Sequence, residues 1–152
     1  MTKNFLHKFI ATACGLGLSP IAPGTAGALG AGLIGYLILN YLPNSSIILL
    51  FLIVIFFFLG VYSSNKLEPE WGKDPSKIVI DEVVGMWISM LFIPQGWPYL
   101  IASFVLFRFF DIRKPLYIKR AENLKGGWGI MMDDVVAGIY TNVLIQLSRL
   151  VI

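Results

Sequence analysis

The chain has 152 residues, of which 57% are hydrophobic and only 14% are charged. Soluble domains usually carry about 25% charged and about 45–50% apolar residues, so one small aqueous core cannot bury this much apolar surface. The composition therefore predicts a single integral membrane domain over residues 1–152. The net charge of +3 is typical of cytoplasmic loops beside anionic lipid headgroups and does not indicate nucleic-acid binding.

Five apolar stretches predict the helices. They run from Ala26 to Leu42, Ile47 to Ser63, Val83 to Ile93, Tyr99 to Phe110 and Val135 to Ile152. Because a spanning helix needs about 20 residues, the third stretch must include Ile78 to Glu82 and the fourth must start near Trp97. We expect an all-α, polytopic membrane bundle of four or five short transmembrane or interfacial helices.

Charge divides the connections between these stretches into two kinds. The turns at 43–46 and 94–98 contain no ionisable side chain. Every charged residue except Arg149 lies in the N-terminal segment, in 66–82 or in 108–134. Lys and Arg mark the cytoplasmic side of a membrane protein. We therefore predict that the charged segments lie inside, and that the fifth helix leaves the C-terminus outside unless it is interfacial.

Two acidic pairs, Asp81-Glu82 and Asp133-Asp134, each stand immediately before a predicted apolar helix. Carboxylates near lipid are costly unless something neutralises them. A few carboxylates and a substrate phosphate suit Mg²⁺, which takes oxygen ligands, and the single cysteine, Cys14, rules out a cysteine-rich metal site. The alternative is that these side chains only cap helices, but two such pairs favour a metal site.

A basic segment follows the fourth stretch. Asp111 stands three residues after Arg108 and three before Lys114, so a helix or turn brings the carboxylate close to both cations. The arginine fork and the lysine charge both suit phosphate. An ordinary interfacial salt-bridge cluster explains the segment equally well.

A glycine-rich segment, 15–27, precedes the first stretch. Free backbone N–H groups at a helix start suit a phosphate oxygen, and the alternative is an ordinary helix N-cap at Thr25. Within the helix, Gly27, Ala31 and Gly35 recur at four-residue intervals. Small residues at this spacing favour close helix packing.

Four segments together resemble the phosphatidylglycerophosphatase A family, bacterial membrane phosphatases that remove the terminal phosphate of phosphatidylglycerophosphate. In chain order they are GLGLSPIAPGTAG, DPSKIVIDEVVGMW, FRFFDIRKP and GGWGIMMDDVVAG. The resemblance covers almost the whole chain. It implies a Mg²⁺-dependent lipid phosphomonoesterase of phosphatidylglycerol synthesis, multi-pass in the bacterial cytoplasmic membrane, with its active site on the cytoplasmic side.

The resemblance also implies roles for individual residues. The implied metal ligands are the acidic motif residues: Asp81, Glu82, Asp111, Asp133 and Asp134. The implied phosphate-binding residues are the basic and glycine-rich ones: Arg108, Lys114, Gly24, Thr25 and Gly27. All of the acidic residues except Asp111 are also expected to be catalytic.

Residue types and motifs that the sequence lacks exclude some mechanisms of phosphate transfer. A phosphohistidine mechanism needs a His nucleophile and usually a second His, but His7 is the only histidine. The Asp-x-Asp motif of phosphoaspartate enzymes and the DGxxAR signature of CDP-alcohol phosphotransferases are also absent. Bound metal can polarise phosphate and activate water. We favour attack by metal-bound water with an acidic residue as base, and leave a carboxylate nucleophile and homo-oligomerisation open.

One alternative comes from a different class, namely a small membrane cation-binding or transport protein that uses the acidic pairs as an ion site. Carriers place charge near the midplane and often contain inverted repeats. The charge here falls at one edge and no repeat is visible. The sequence therefore favours the enzyme.

Overall fold

A computed structural model describes residues 4–73 and 75–150. Its helices are α1 (Phe5–Ala11), α2 (Pro23–Tyr41), α3 (Ser45–Trp71), α4 (Ile80–Met90), α5 (Trp97–Arg113), α6 (Tyr117–Glu122) and α7 (Gly127–Ser148). These described ranges contain no strand, so the all-α prediction is confirmed. Asp74, where one motif begins, and Ile152, where the fifth stretch ends, lie outside the described residues.

One end of the bundle gathers the charged side chains. Here α2, α4 and α7 begin and α3 and α5 end, as three contacts show. Arg108 near the end of α5 approaches Glu82 at the start of α4, Lys114 contacts Asp133 of α7, and Gly127 donates its N–H to Asn65 of α3. We call this end of the bundle the charged end.

Two helices, α3 and α7, are long and apolar enough to cross a membrane by length and composition. Their outer faces and that of α5 expose large apolar side chains, with Phe51 65%, Ile101 59% and Val143 49% exposed. Apolar surface of this extent is unfavourable in water and suits contact with lipid. The fold is therefore that expected of a membrane helical protein.

The third predicted stretch forms α4, which is much shorter than a membrane span. It has 11 residues and a length of about 16 Å, against about 30 Å for the hydrocarbon core. Val79 is the non-helical N-cap of α4, and its N–H donates to the Ala11 carbonyl at 2.9 Å. Met86 and Trp87 are buried, and α4 packs on α2, α3, α5 and α7. The central element is thus a short buried helix.

The small residues of α2 form its contact with α4. Gly27, Ala31 and Gly35 are buried, and Trp87 of α4 donates its indole N–H to the Ala31 carbonyl at 2.9 Å. A Cβ at Gly35 would lie 3.0 Å from the Trp87 ring. The predicted packing role of this spacing is confirmed, and it operates between two helices of one chain.

The fifth helix begins earlier than the predicted Val135. It starts at Gly127, so the pair Asp133-Asp134 lies inside α7 and not before it. A Cβ at Gly127 would collide with the Val61 backbone of α3. The glycine therefore allows the extra turns of α7 to pack where a larger residue does not fit.

Two short helices at the charged end, α1 and α6, have no counterpart among the predicted stretches. Helix α3 also continues past Ser63 to Trp71, and Lys8 of α1 forms an ion pair with Glu70 in this extension. The exposed faces of α1 include Phe5 and Leu6. These helices widen the charged end beyond the predicted loops.

Candidate active site

Three carboxylates from α4 and α7 converge at the charged end. One oxygen each of Asp81, Glu82 and Asp134 lies within 4.8 Å of the other two. Asp81 and Glu82 occupy the first turn of α4. Asp134 belongs to α7 and is 2% exposed. The two acidic pairs, which lie far apart in sequence, therefore contribute to one site, which we call the carboxylate cluster.

Each member of the carboxylate cluster has an unsatisfied oxygen. Asp81 Oδ1, Glu82 Oε2 and Asp134 Oδ2 are buried, and within residues 4–73 and 75–150 none has a hydrogen-bond partner. A buried carboxylate oxygen without a partner is unfavourable. Oxygen donors of this kind are the ligands that hard divalent cations prefer. The cluster therefore fits a divalent cation better than it fits a simple helix cap.

A close crossing of α4 and α7 holds the cluster together. A Cβ at Gly85 would lie 2.7 Å from the Asp134 carbonyl oxygen, and a Cβ at Gly138 would collide with the Gly85 carbonyl. Larger residues at the crossing would separate the two helices that carry the carboxylates. Neither glycine has a predicted role, although both motifs, DEVVG and DDVVAG, end in glycine soon after the acidic pair.

Arg108 of α5 lies beside the cluster. Its Nη1 forms an ion pair with Asp111 and lies 3.9 Å from Glu82 Oε1. Its Nε is buried and has no partner among the residues described. A guanidinium with one unused N–H is suited to bind an anion next to the carboxylates.

Gly24, at the start of α2, also lies beside the carboxylate cluster. A Cβ there would collide with the Glu82 carboxylate and would lie 3.3 Å from Arg108 Nη1. The missing side chain is thus what lets the start of α2 reach the cluster. Arg108, Gly24 and the three carboxylates form one continuous patch.

Lys114 forms a second, adjacent group of charges. Its Nζ donates to Asp133 Oδ2 at 2.7 Å and lies 3.1 Å from Glu122 Oε1. Partial burial opposes the charged form, but the hydrogen bonds and charges of Asp133 and Glu122 outweigh it and raise the pKa of Lys114. Lys114 therefore stays protonated at neutral pH. Asp133 Oδ1 in turn accepts the Asp134 N–H at 2.9 Å, which links this group to the cluster.

A polar cavity of about 260 Å³ opens beside Asp133. It lies between the end of α3 and the start of α7. Its polar lining residues are Glu68, Lys73, Glu122, Asn123 and Asp133. The cavity offers hydrogen-bonding groups next to the site and has room for a small hydroxylated group.

The remaining predicted phosphate ligands contribute less directly. Thr25 is the third residue of α2, whose N-cap is Ala22, so the alternative of an N-cap at Thr25 is wrong. Gly27 packs on Val79, where a Cβ would lie 2.9 Å from the Val79 Cβ, and does not face the carboxylates. The roles of Thr25 and Gly27 in phosphate binding stay predictions.

Among the five predicted metal ligands, the structure distinguishes two sets. Asp81, Glu82 and Asp134 converge, whereas Asp111 and Asp133 form ion pairs with Arg108 and Lys114. Five carboxylates against two cations leave a formal excess of three negative charges. Such an excess favours binding of a cation. Whether Asp111 and Asp133 also touch metal stays a prediction.

A helical membrane protein that combines a buried carboxylate cluster with Arg and Lys at one end fits the class of membrane phosphoryl hydrolases. The charge lies at the end of the bundle and not along it, which is unlike a transport path. The chain belongs to the phosphatidylglycerophosphatase A family, whose model matches residues 9–149. The resemblance seen in the four motifs is confirmed, and the protein is a phosphatase.

Three relatives are similar to this chain over most of its length. A Bacteroides thetaiotaomicron protein named putative phosphatidylinositol-3-phosphatase is 49% identical, with 98% of this chain and 97% of the relative covered. A Haemophilus influenzae phosphatidylglycerophosphatase A is 41% identical over 93% of this chain and 87% of the relative. The Escherichia coli phosphatidylglycerophosphatase A is also 41% identical, over 86% of this chain and 76% of the relative. No solved structure matches the chain.

Proposed function

We propose that this protein is a multi-pass membrane enzyme that hydrolyses the terminal phosphate of phosphatidylglycerophosphate to give phosphatidylglycerol and inorganic phosphate. The observation that carries the proposal is the convergence of Asp81, Glu82 and Asp134 beside Arg108. Two relatives named phosphatidylglycerophosphatase A support the choice of substrate. A site at the ends of membrane helices suits a lipid whose phosphate lies at the membrane surface.

The proposed cofactor is Mg²⁺, held by the carboxylate cluster. The unpaired buried oxygens of Asp81, Glu82 and Asp134 support this assignment, as does the preference of Mg²⁺ for a few carboxylates together with a substrate phosphate. When bound, Mg²⁺ would supply Lewis-acid polarisation of the phosphate and would ease the ionisation of water.

The chain's own residues bind and orient the phosphate. Arg108 has an unused N–H at Nε that is suited to a phosphoryl oxygen, and its pairing with Asp111 fixes the guanidinium. Lys114 adds a positive charge and is held by Asp133. A carboxylate of the cluster accepts the proton of the attacking water. Positioning and charge stabilisation of this kind provide most of the catalysis in phosphoryl transfer.

A phosphorylated inositol lipid is the second candidate substrate. The relative named putative phosphatidylinositol-3-phosphatase is 49% identical over 98% of this chain. The polar cavity beside Asp133, with Glu68 and Asn123 in its lining, offers acceptors and donors for the hydroxyl groups of a polyol. Both candidates are phosphomonoesters on a hydroxylated lipid headgroup, so they differ in how the headgroup fits and not in the reaction.

A paired phosphate-release assay tests the proposal. Purified protein in detergent is given phosphatidylglycerophosphate or phosphatidylinositol 3-phosphate at equal mole fraction, with Mg²⁺ or with EDTA. We expect release from phosphatidylglycerophosphate with Mg²⁺ and none with EDTA. Release from the inositol lipid alone would select the second candidate, and no release from either lipid with any divalent metal would overturn both.

We also propose that the charged end faces the cytoplasm. Cys14 is the only cysteine of the chain, it is exposed, and it lies close to the charged end. A membrane-impermeant maleimide is expected to label Cys14 in inverted membrane vesicles and not in intact spheroplasts. The matched control, Cys14→Ser with Ser45→Cys at the uncharged turn, is expected to show the reverse. Labelling of Cys14 in intact spheroplasts would contradict the proposed orientation.

A further inference from the structure

An apolar groove runs along the outside of the bundle between α2 and α5. Its walls are Leu29, Gly32 and Leu33 from α2 and Leu100, Ile101 and Phe104 from α5, and its volume is about 260 Å³. Met86 of the buried helix α4 lies at its floor, where Gly32 packs closely on it, since a Cβ at Gly32 would lie 3.0 Å from Met86 Cε. Leu33 and Ile101 are at least half exposed. The groove is therefore open to the surrounding lipid.

The groove runs toward the candidate active site. Phe104 lies one helical turn before Arg108 on α5, and α2 approaches Arg108 at Gly24. At the opposite end, Tyr36 and Trp97 stack with ring centroids 4.5 Å apart and close the groove. From Trp97 to Arg108 the distance along α5 is about 16 Å.

A second apolar groove lies on the other side of α4, between α3 and α7, and has a volume of about 210 Å³. Val54 and Phe58 are in its lining. Toward the charged end it is closed by side chains, because Trp128 packs on Phe58 and a Cβ at Gly60 would lie 2.5 Å from Met131 Sδ. This groove is equally apolar, and the side chains at its charged end are Trp128 and Met131 rather than charged ones.

We propose that the α2–α5 groove holds an acyl chain of the lipid substrate while the phosphate reaches the carboxylate cluster. The inference rests on the proposed function, since it requires a lipid phosphomonoester as substrate. A ligand that occupies the groove and contacts Arg108 must combine a long apolar chain with an anionic headgroup, and a lipid phosphate has both. Holding the chain limits the positions of the headgroup, which favours the reactive orientation.

Photolabelling tests the location of the chain without relying on turnover. Full-length protein in detergent with Mg²⁺ is irradiated with a non-hydrolysable phosphonate analogue of phosphatidylglycerophosphate that carries a diazirine in one acyl chain, and labelled residues are mapped by mass spectrometry. We expect Leu33, Ile101 and Phe104 to be labelled several-fold more than Val54 and Phe58, and excess unlabelled lipid to suppress the labelling. Equal labelling of the two grooves, or labelling that unlabelled lipid does not suppress, would overturn the inference.

A pair of variants tests whether the groove selects long chains. Ile101→Trp narrows the α2–α5 groove, and Val54→Trp makes the same kind of change in the α3–α7 groove. The ratio of kcat/KM for dioleoyl to that for dibutyryl phosphatidylglycerophosphate is expected to fall about tenfold in Ile101→Trp and to change less than twofold in Val54→Trp. An unchanged ratio in Ile101→Trp contradicts the inference. If the wild type hydrolyses neither lipid, the proposed function fails, and the photolabelling result still decides where the chain binds.

Discussion

The α2–α5 and α3–α7 grooves flank the same short helix and have the same apolar character, but they differ at the charged end. Between α2 and α5, the charged side chains of Glu82 and Arg108 lie against Gly24. Between α3 and α7, the ring of Trp128 and the contact of Gly60 with Met131 occupy the corresponding place. Apolar surface is therefore not what distinguishes a substrate path. The distinction comes from a few side chains at the helix ends, which are charged beside Gly24 and apolar beside Gly60.

The short central helix explains why both grooves exist. Helix α4 has 11 residues and lies beneath four longer helices that contact it. Met86 faces the α2–α5 groove, and Val84 and Ile88 face the α3–α7 groove. The same helix presents Asp81 and Glu82 at its first turn. One element therefore supplies the floor of both grooves and two of the three clustered carboxylates.

The largest effect is expected at the carboxylates where the α2–α5 groove ends. Asp134→Asn keeps the shape of the side chain but removes one charge from the cluster, so hydrolysis is expected to fall roughly a thousand-fold. The measurement is kcat for phosphate release from phosphatidylglycerophosphate, with membrane insertion checked by fractionation.

Asp133→Asn is the matched control for Asp134→Asn. Asp133 pairs with Lys114 and lies outside the set of three converging carboxylates, so a smaller loss is expected. Near-normal turnover in Asp134→Asn would show that the cluster is not the reaction centre. The proposed role of the α2–α5 groove in holding the substrate's acyl chain would then lose its support.

A smaller effect is expected from a single methyl group where the α2–α5 groove meets the site. In Gly24→Ala the new Cβ collides with the Glu82 carboxylate and must displace it. Displacement of a catalytic group by about 1 Å reduces rates by about a hundred-fold, and we expect that loss in kcat/KM. Turnover equal to that of the wild type would mean that the start of α2 does not border the substrate.

The sequence predicts the long helices well because their apolar runs are close to the length of a span. The start of α5 at Trp97 follows from that requirement alone and is confirmed. The start of α7 at Gly127 does not follow, because a GGWG run favours a loop by propensity and is helical here through packing on Val61. Tertiary contacts, which the sequence does not display, outweigh local preference at this point.

The candidate site is predicted by residue type and not by arrangement. The sequence identifies all five carboxylates, but adjacent residues on a helix point about 100° apart. Asp134 therefore faces α4, whereas Asp133 faces Lys114. Which neighbour lies on each side depends on how α4, α5 and α7 cross, and the glycines at positions 85 and 138 determine that crossing.

Lys114 provides a prediction of intermediate size. Lys114→Met keeps much of the side-chain volume but removes the charge that binds Asp133 and Glu122. If Lys114 holds phosphate in the ground state, KM is expected to rise about tenfold with little change in kcat. A loss confined to kcat in Lys114→Met would assign Lys114 to the transition state instead.

The pH dependence of the wild type gives a further prediction. Because the pKa of Lys114 is raised, the ammonium is lost only above its normal titration range. The wild-type KM should therefore show no step from Lys114 between about pH 6 and 9.

The smallest effect on activity is expected from Gly60→Ala, the counterpart of Gly24→Ala in the α3–α7 groove. Alanine favours a helix over glycine by about 1 kcal/mol, whereas overpacking a buried contact costs about 1–3 kcal/mol. The new Cβ would lie 2.5 Å from Met131 Sδ and 3.2 Å from Ile80 Cγ2. Met131 is flexible but fully buried, so overpacking should prevail and lower the free energy of unfolding by about 1 kcal/mol.

Activity per folded molecule should nevertheless stay within twofold in Gly60→Ala, because the side chains at the charged end of the α3–α7 groove are the apolar Trp128 and Met131. Thermal unfolding in detergent and kcat/KM of the folded fraction separate these two quantities. The comparison of the two grooves holds if Gly24→Ala loses activity while keeping its melting temperature and Gly60→Ala does the opposite. A loss of activity in Gly60→Ala as large as that in Gly24→Ala would show that the closed side also serves the site, since the two substitutions add the same atom on opposite sides of α4.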